Sequence, residues 1–254
     1  MNGFQAAASF LTRLRVGATV EGRADLPRSV PWFPVVGGLL GLGAAGAYAG
    51  ARLVLPPFVA AALAISVTVL LTGAFHEDGL ADTADALGGG WSREEALRIL
   101  KDPAHGTYGV LAIAISVVLR VGAIAGLDGW AALAILPAAH ALSRAGAVGL
   151  LGWVRPATSD GLGASYSASV TRRLAVGASA VGLVIGLASL GLWGLPGALL
   201  AGLGAAGVGW LGVRKLGGVT GDLLGAAQQA GEVLVVLLGA AVTVRGWPGL
   251  PWWR

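Results

Sequence analysis

From Pro57 to Phe75 the chain carries no charge, and this apolar run ends in His76-Glu77-Asp78-Gly79-Leu80-Ala81-Asp82-Thr83-Ala84-Asp85. Uncharged or singly charged stretches of about 18 to 20 residues recur along the chain, the length an α-helix needs to cross a bilayer. Within hydrocarbon every backbone N–H and C=O must be satisfied inside its own segment, so helices are the structures open to such stretches. Charged residues make up 12% of the 254 residues. A soluble domain carries about twice that share. The expected fold is therefore all-α: a polytopic integral membrane protein with about seven transmembrane helices and a short N-terminal interfacial helix. We place the spans at 35–54, 57–76, 107–126, 130–152, 173–192, 195–212 and 227–244, in a single membrane domain over 1–254. No internal repeat and no separate soluble domain is visible.

Residues 1–34 precede the first span. Phe4, Ala7, Leu11 and Leu14 share a helical stripe, with Arg13 and Arg15 off it, a pattern suited to the headgroup region. With the N-terminus in the cytoplasm, twelve Lys and Arg fall inside (Arg13 to Lys215) and three, Arg52, Arg245 and Arg254, fall outside. That satisfies the positive-inside rule. It also accounts for the net charge of +4 without nucleic acid as a partner. Trp247, Trp252 and Trp253 are expected as an interfacial belt on the far side. There are no cysteines, which excludes disulfides, thiolate nucleophiles and Cys-ligated metals.

The same topology puts the acidic residues at the cytoplasmic face, in a segment over 77–106. Asp78, Asp82 and Asp85 are spaced i, i+4, i+7 and share one helical face. Carboxylates that close repel one another unless a cation lies between them. Oxygen-only donors point to Mg²⁺ or Mn²⁺. The bland alternative is a helix end whose acids are solvated or bound by Arg93 and Arg98. Gly88-Gly89-Gly90 reads as a helix stop and Ser92-Arg93-Glu94-Glu95 as a capping box. Asp102 ends the second helix, as a turn residue or as part of the site. A metal of this kind suits phosphoryl transfer, with a carboxylate as base. Asp82 is central, although spacing does not rank the three. Gly217-Gly218-Val219-Thr220-Gly221-Asp222 offers a glycine-rich turn with a carboxylate on the same side, where backbone amides could approach a phosphate. Arg144 and Arg120 fall inside spans and need partners or a wet cavity. Glu232 is the expected partner of Arg120. Arg144 could reach a phosphate. The polar segment Arg155–Thr171 could cover a substrate.

With these residues the chain resembles cobalamin synthase, the adenosylcobinamide-GDP ribazoletransferase family. The resemblance rests on Phe10-Leu11-Thr12-Arg13-Leu14, on His76 to Asp85, on Lys101-Asp102 with Gly106-Thr107-Tyr108-Gly109, on Ser143-Arg144 and on Gly217 to Asp222. It implies transfer of adenosylcobinamide phosphate from adenosylcobinamide-GDP to α-ribazole or its 5′-phosphate, with release of GMP. It implies Mg²⁺ held by Asp78, Asp82 and Asp85, substrate contacts from Arg144, Asp102, Thr107, Thr220 and Asp222, and a place in the bacterial inner membrane. An oligomer is compatible with it. The acidic motif also looks like that of CDP-alcohol phosphotransferases, but the Ala-Arg after their first acidic pair and their wider second spacing are missing. A cation-coupled transporter would carry its acids near the bilayer midplane.

Overall fold

The computed structural model describes residues 2–14, 16, 26–159, 170–247 and 252. The expected cover over Arg155–Thr171 falls largely outside these residues, as does Trp253. Among the described residues the structure is helical: α1 (Gly3–Leu11), α2 (Leu26–Ser29), α3 (Phe33–Ala51), α4 (Pro57–Thr72), α5 (Phe75–Gly89), α6 (Arg93–Ile99), α7 (Thr107–Ala125), α8 (Gly129–Trp153), α9 (Arg172–Leu190), α10 (Gly194–Leu216) and α11 (Gly221–Val244), with 3₁₀ turns at Val30–Trp32 and Gly191–Trp193.

Five helical segments are long and apolar enough to cross a membrane, or six if α4 and α5 form one bent span. The seven expected spans are not reached on that measure. One reason is that Arg172–Leu216 counts as a single apolar segment of 45 residues. Its chain reverses at Gly191 (φ 58°, ψ −138°), and a Cβ on Gly194 would lie 2.7 Å from the carbonyl carbon of Gly186. The second reason is α4, expected to run to residue 76. It stops at Thr72, and α5 leaves at 90°. Gly73 (φ 69°) and Ala74 (φ 61°) are both left-handed, which makes the corner.

α8 is the central pillar, with 89% of its apolar window buried against 28% for α7. Gly37 and Gly41 let α3 lie directly on α8: a Cβ on either would collide with the carbonyl oxygen of His140 or Leu136. Gly204 likewise meets the backbone of Gly231, whereas Gly43, Gly202 and Gly207 face open space. Small residues thus mark helix contacts at some of the expected positions only. Outward faces carry Val110, Leu111, Ile115 and Val118 on α7 and Leu199 and Leu203 on α10, all exposed, as a hydrocarbon surround requires. Trp193 stacks on Trp247 at 5.4 Å. They sit at the end of α11 remote from Asp222, about 36 Å away at 1.5 Å per residue.

The interfacial helix expected at the N-terminus forms, with an Asn2–Gln5 capping box. Its apolar face is covered by protein, however. Ala7, Ala8 and Leu11 pack with Val30, Phe33 and Val36, while Leu14 is exposed. The backbone N–H of Arg13 donates to Leu71 O at 2.7 Å, fastening the N-terminal segment to the end of α4.

The α4–α5 corner should be sensitive to side chains. Gly73→Ala adds a left-handed non-glycine residue and drives a methyl into the Arg13 guanidinium. It should lower stability by ~1–2 kcal/mol, read as a lower melting temperature of the detergent-solubilised protein.

Candidate active site

α5 owes its position to two close contacts. Gly79 lies on the first turn of α11, where a Cβ would be 2.7 Å from Asp222 O and 3.2 Å from the Gly225 Cα. At the other end Asp85 caps α7: Oδ2 accepts from Gly106 N at 2.7 Å and Oδ1 from Gly109 N at 2.9 Å. Those N–H groups begin a helix and would otherwise be unsatisfied. Any Cβ on Gly106 or Gly109 would strike the Asp85 carboxylate, so this glycine spacing is set by the cap. The C-terminal carbonyls of α5 are satisfied by Lys215, whose Nζ donates to Leu87 O and Gly90 O at 3.0 and 3.1 Å. The segment 77–106 is thus mostly helix, α5 followed by α6, with the break near Gly88-Gly89-Gly90 and the Ser92 cap where the sequence places them.

Asp78 and Asp82 point away from this packing. His105 joins them, with Nδ1 3.2 Å from Asp82 Oδ1 and Nε2 3.7 Å from Asp78 Oδ1. Burial, followed by the charges of Asp78 and Asp222, raises the Asp82 carboxyl to about 6, against the lowering effect of His105. The electrostatic cluster is therefore Asp78, Asp82 and Asp222. Asp85, expected as the third metal ligand, has both oxygens engaged by backbone donors. Among the described residues no three His, Asp or Glu side chains stand close enough to enclose a metal ion as they are. The donor chemistry of Asp78, Asp82 and Asp222 nevertheless fits a hard divalent cation: all are carboxylate oxygens, and burial first, then neighbouring acidic charge, raises the proton affinity of Asp82 and Asp222.

Behind the cluster lies a buried polar network. Arg120 Nη1 donates to Glu232 Oε1 at 2.8 Å and Nη2 to Glu77 Oε1 at 3.3 Å. The sequence anticipates the first pair. It leaves Glu77 without a role, whereas the structure buries it. Gln229 Nε2 also donates to Glu77, at 3.1 Å, and Gln228 Nε2 donates to Glu232 Oε2 at 2.6 Å and Ser143 Oγ at 3.0 Å. His140 Nδ1 lies 3.0 Å from Glu232 Oε2. Because a carboxylate only accepts, we assign the proton to Nδ1. Arg144 then donates from Nη1 to His140 O at 3.0 Å. Arg144 Nε is buried with no hydrogen-bond partner among the described residues.

Arg144 and the acids face a common cavity of ≈ 310 Å³. Asp78 and Asp222 line it on one side, and Phe10, Phe33 and Phe75 contribute aromatic wall. The structure thus brings Asp78, Asp82, Asp222 and Arg144 to one place. Asp102 is exposed and caps its own turn, Oδ1 accepting from Ala104 N at 3.0 Å. Thr107 is exposed in the first turn of α7. Thr220 is the N-cap of α11, its hydroxyl accepting from Leu223 N at 3.2 Å. The glycine-rich turn expected to cradle phosphate is occupied by protein: Val219 N donates to Arg155 O, and Val219 O accepts from Ala157 N. His105 and the network residues Glu77, His140, Ser143, Gln228 and Gln229 were not singled out as site residues by sequence. Polar side chains inside apolar spans were the available signal.

The cobalamin-5-phosphate synthase family matches this chain over residues 3–241. A protein from Bradyrhizobium diazoefficiens named adenosylcobinamide-GDP ribazoletransferase is 44% identical over 239 residues, covering 92% of each chain. Proteins of the same name from Ralstonia nicotianae and Klebsiella pneumoniae are 41% and 39% identical, each covering more than nine-tenths of both chains. No solved structure matches.

The two kinds of carboxylate should separate in stability. Asp85→Ala leaves two helix-initiating N–H groups without their acceptor and should cost ~1–3 kcal/mol. Asp82→Asn removes like-charge repulsion and should leave the melting temperature unchanged or higher. Thermal unfolding of both variants in detergent checks this.

Proposed function

The chain belongs to the cobalamin-5-phosphate synthase family, and from that premise we propose that it transfers adenosylcobinamide phosphate from adenosylcobinamide-GDP to α-ribazole or α-ribazole 5′-phosphate. GMP leaves, and the product is adenosylcobalamin or its 5′-phosphate. The observation that carries this reading is the cavity lined by Asp78 and Asp222 together with Arg144, with Asp82 tied to Asp78 through His105.

A ribose hydroxyl of the acceptor attacks the phosphorus next to cobinamide. The new P–O bond replaces the bond to GMP, and the hydroxyl proton goes to a base. Asp82 is the base in this scheme, placed beside Asp78 and the partly exposed His105. His105, in contact with Asp82 and 37% exposed at its side chain, offers that proton a way to water. Arg144, which lines the cavity, holds phosphate oxygens through its guanidinium, a charge-assisted contact. Asp78, Asp82 and Asp222 would hold Mg²⁺, which when bound neutralises charge on the diphosphate. Asp85 acts by fixing α5 against α7.

The site faces the cytoplasm in this reading, and the membrane is the bacterial inner membrane. The support is charge. Lys215 caps α5, Arg93 Nε donates to Leu216 O at 2.8 Å, and Arg155 Nε donates to Gly217 O at 3.2 Å, all at the acidic end of the bundle. Concentrated Lys and Arg mark the cytoplasmic side.

Purified protein with Mg²⁺ should release GMP from adenosylcobinamide-GDP only when α-ribazole or its phosphate is supplied, and EDTA should stop release. Asp82→Asn should reduce turnover by at least ~10²-fold. Wild-type rates in that variant would remove Asp82 as base, and CMP release from a CDP-alcohol would favour lipid headgroup transfer.

A further inference from the structure

The cavity beside the carboxylates has a composition that the phosphoryl chemistry does not require. Phe10 and Phe33 lie parallel with centroids 5.5 Å apart, and Phe75 meets Phe10 edge-on at 5.3 Å. Leu11, Val148 and Leu224 complete the apolar wall. Helix α1, whose opposite contacts fasten it to α2 and α3, supplies Phe10 and Leu11. The aromatic cluster is thus assembled from α1, α3 and α5.

We propose that this cavity seats the planar, apolar base of the acceptor nucleoside, and that Phe10, Phe33 and Phe75 determine which bases the enzyme accepts. The inference rests on the ribazoletransferase reading. Three observations single out the acceptor base. First, size: ≈ 310 Å³ is at the lower end of small-molecule pockets, which suits a nucleoside and excludes a corrin macrocycle. Second, polarity. Guanine presents N–H groups and a carbonyl along one edge, and these need partners when buried. The aromatic end of the cavity, Phe10, Phe33 and Phe75 with Leu11 and Val148, offers no side-chain hydrogen-bond partner; the polar lining is at Asp78, Asp222, Arg144, His76 and Gln228, and both Nε2 hydrogens of Gln228 are taken by Ser143 and Glu232. The base of α-ribazole, a dimethylbenzimidazole, has no N–H on its ring edge and loses nothing against phenyl and aliphatic walls. Third, connection. The cavity is bordered by Asp78 and Asp222 and by Arg144, so a base seated there keeps its ribose beside the carboxylates and the Arg144 side chain.

The test uses the full-length protein in detergent and α-ribazole itself as the probe. Phe75 is 41% exposed, so Phe75→Ala removes wall with little cost to the core. Ala147→Phe fills the cavity from the opposite side, and Phe75→Trp restores an aromatic wall. Initial rates are measured with α-ribazole varied at saturating adenosylcobinamide-GDP, then the reverse. Both Phe75→Ala and Ala147→Phe should raise KM for α-ribazole by ~10-fold and leave KM for the donor within about twofold. Phe75→Trp should recover most of the loss. The discrimination between α-ribazole and an α-nucleoside carrying adenine should narrow in Phe75→Ala. A rise in donor KM with the acceptor unaffected would assign the cavity to the donor and overturn the proposal. So would unchanged kinetics in Ala147→Phe. Equilibrium dialysis of α-ribazole, without donor, separates this inference from the function it rests on. Weakened binding in Phe75→Ala supports the base seat even where no GMP is formed; equal binding in wild type and both variants sinks it.

Discussion

Arg120 is buried between Glu232 and Glu77, and the arrangement of the site follows from that contact. A guanidinium in the middle of a membrane helix costs roughly 2.5–3.5 kcal/mol on insertion scales. Here it is offset by two carboxylates, at 2.8 and 3.3 Å. The three residues belong to α7, α11 and α5, so one charge requirement draws three helices together. Removing one partner of a buried pair typically costs ~3–5 kcal/mol, because a bare charge is left behind. α5 is short, bent away from α4 and carries four acids. Glu77 gives it an anchor that its apolar residues could not supply.

The next residue does different work. Successive positions on a helix are separated by about 100°, so an inward Glu77 turns Asp78 toward the cavity, and Asp82 one turn later shares that face and meets His105. Asp85 shares their face by spacing, yet α7 begins directly against it and takes both of its oxygens. The vacant corner of the cluster is filled instead by Asp222, brought in because Gly79 lets α5 lie against the start of α11. Four carboxylates in nine positions therefore divide into two that hold helices, Glu77 and Asp85, and two that gather around His105, Asp78 and Asp82.

That division marks the limit of what the sequence could show. Spacing states which side chains share a face, but not what covers it. The apolar runs located the long helices and the one buried pair, Arg120 with Glu232, because a charge inside a span must find an opposite charge. The α4–α5 corner was missed because Ala74 is left-handed without being glycine. The motif Gly217 to Asp222 looked like a phosphate cradle because glycine clusters serve both turns and cradles; in the fold its backbone is bonded to residues 155–157. His105 was not legible because it is distant from the cluster along the chain, and only the turn before α7 carries it onto Asp78 and Asp82. The N-terminal stripe was amphipathic as read, but an apolar stripe does not say whether lipid or protein covers it. The acidic pair, Arg144 and the position of Asp222 on the same side were legible. The helix-holding acids and the polar network were not.

The charges around the cavity also explain why a cation belongs in the proposed chemistry. Asp78, Asp82 and Asp222 contribute negative charge on one side. Arg144 contributes a single positive charge on the other, and it already feels the carboxylate of Glu232 through the network. A diphosphate entering such a space meets more repulsion than attraction. Raising the proton affinity of one carboxyl, as burial and its neighbours do to Asp82, relieves only part of the excess. A divalent cation held by the carboxylates would cancel most of the charge on that wall and offer phosphate oxygens a positive centre to bind. On this account the carboxylates and Arg144 are complementary rather than redundant: Arg144 supplies a fixed positive group at the back of the cavity, and the acids recruit the mobile one at its front.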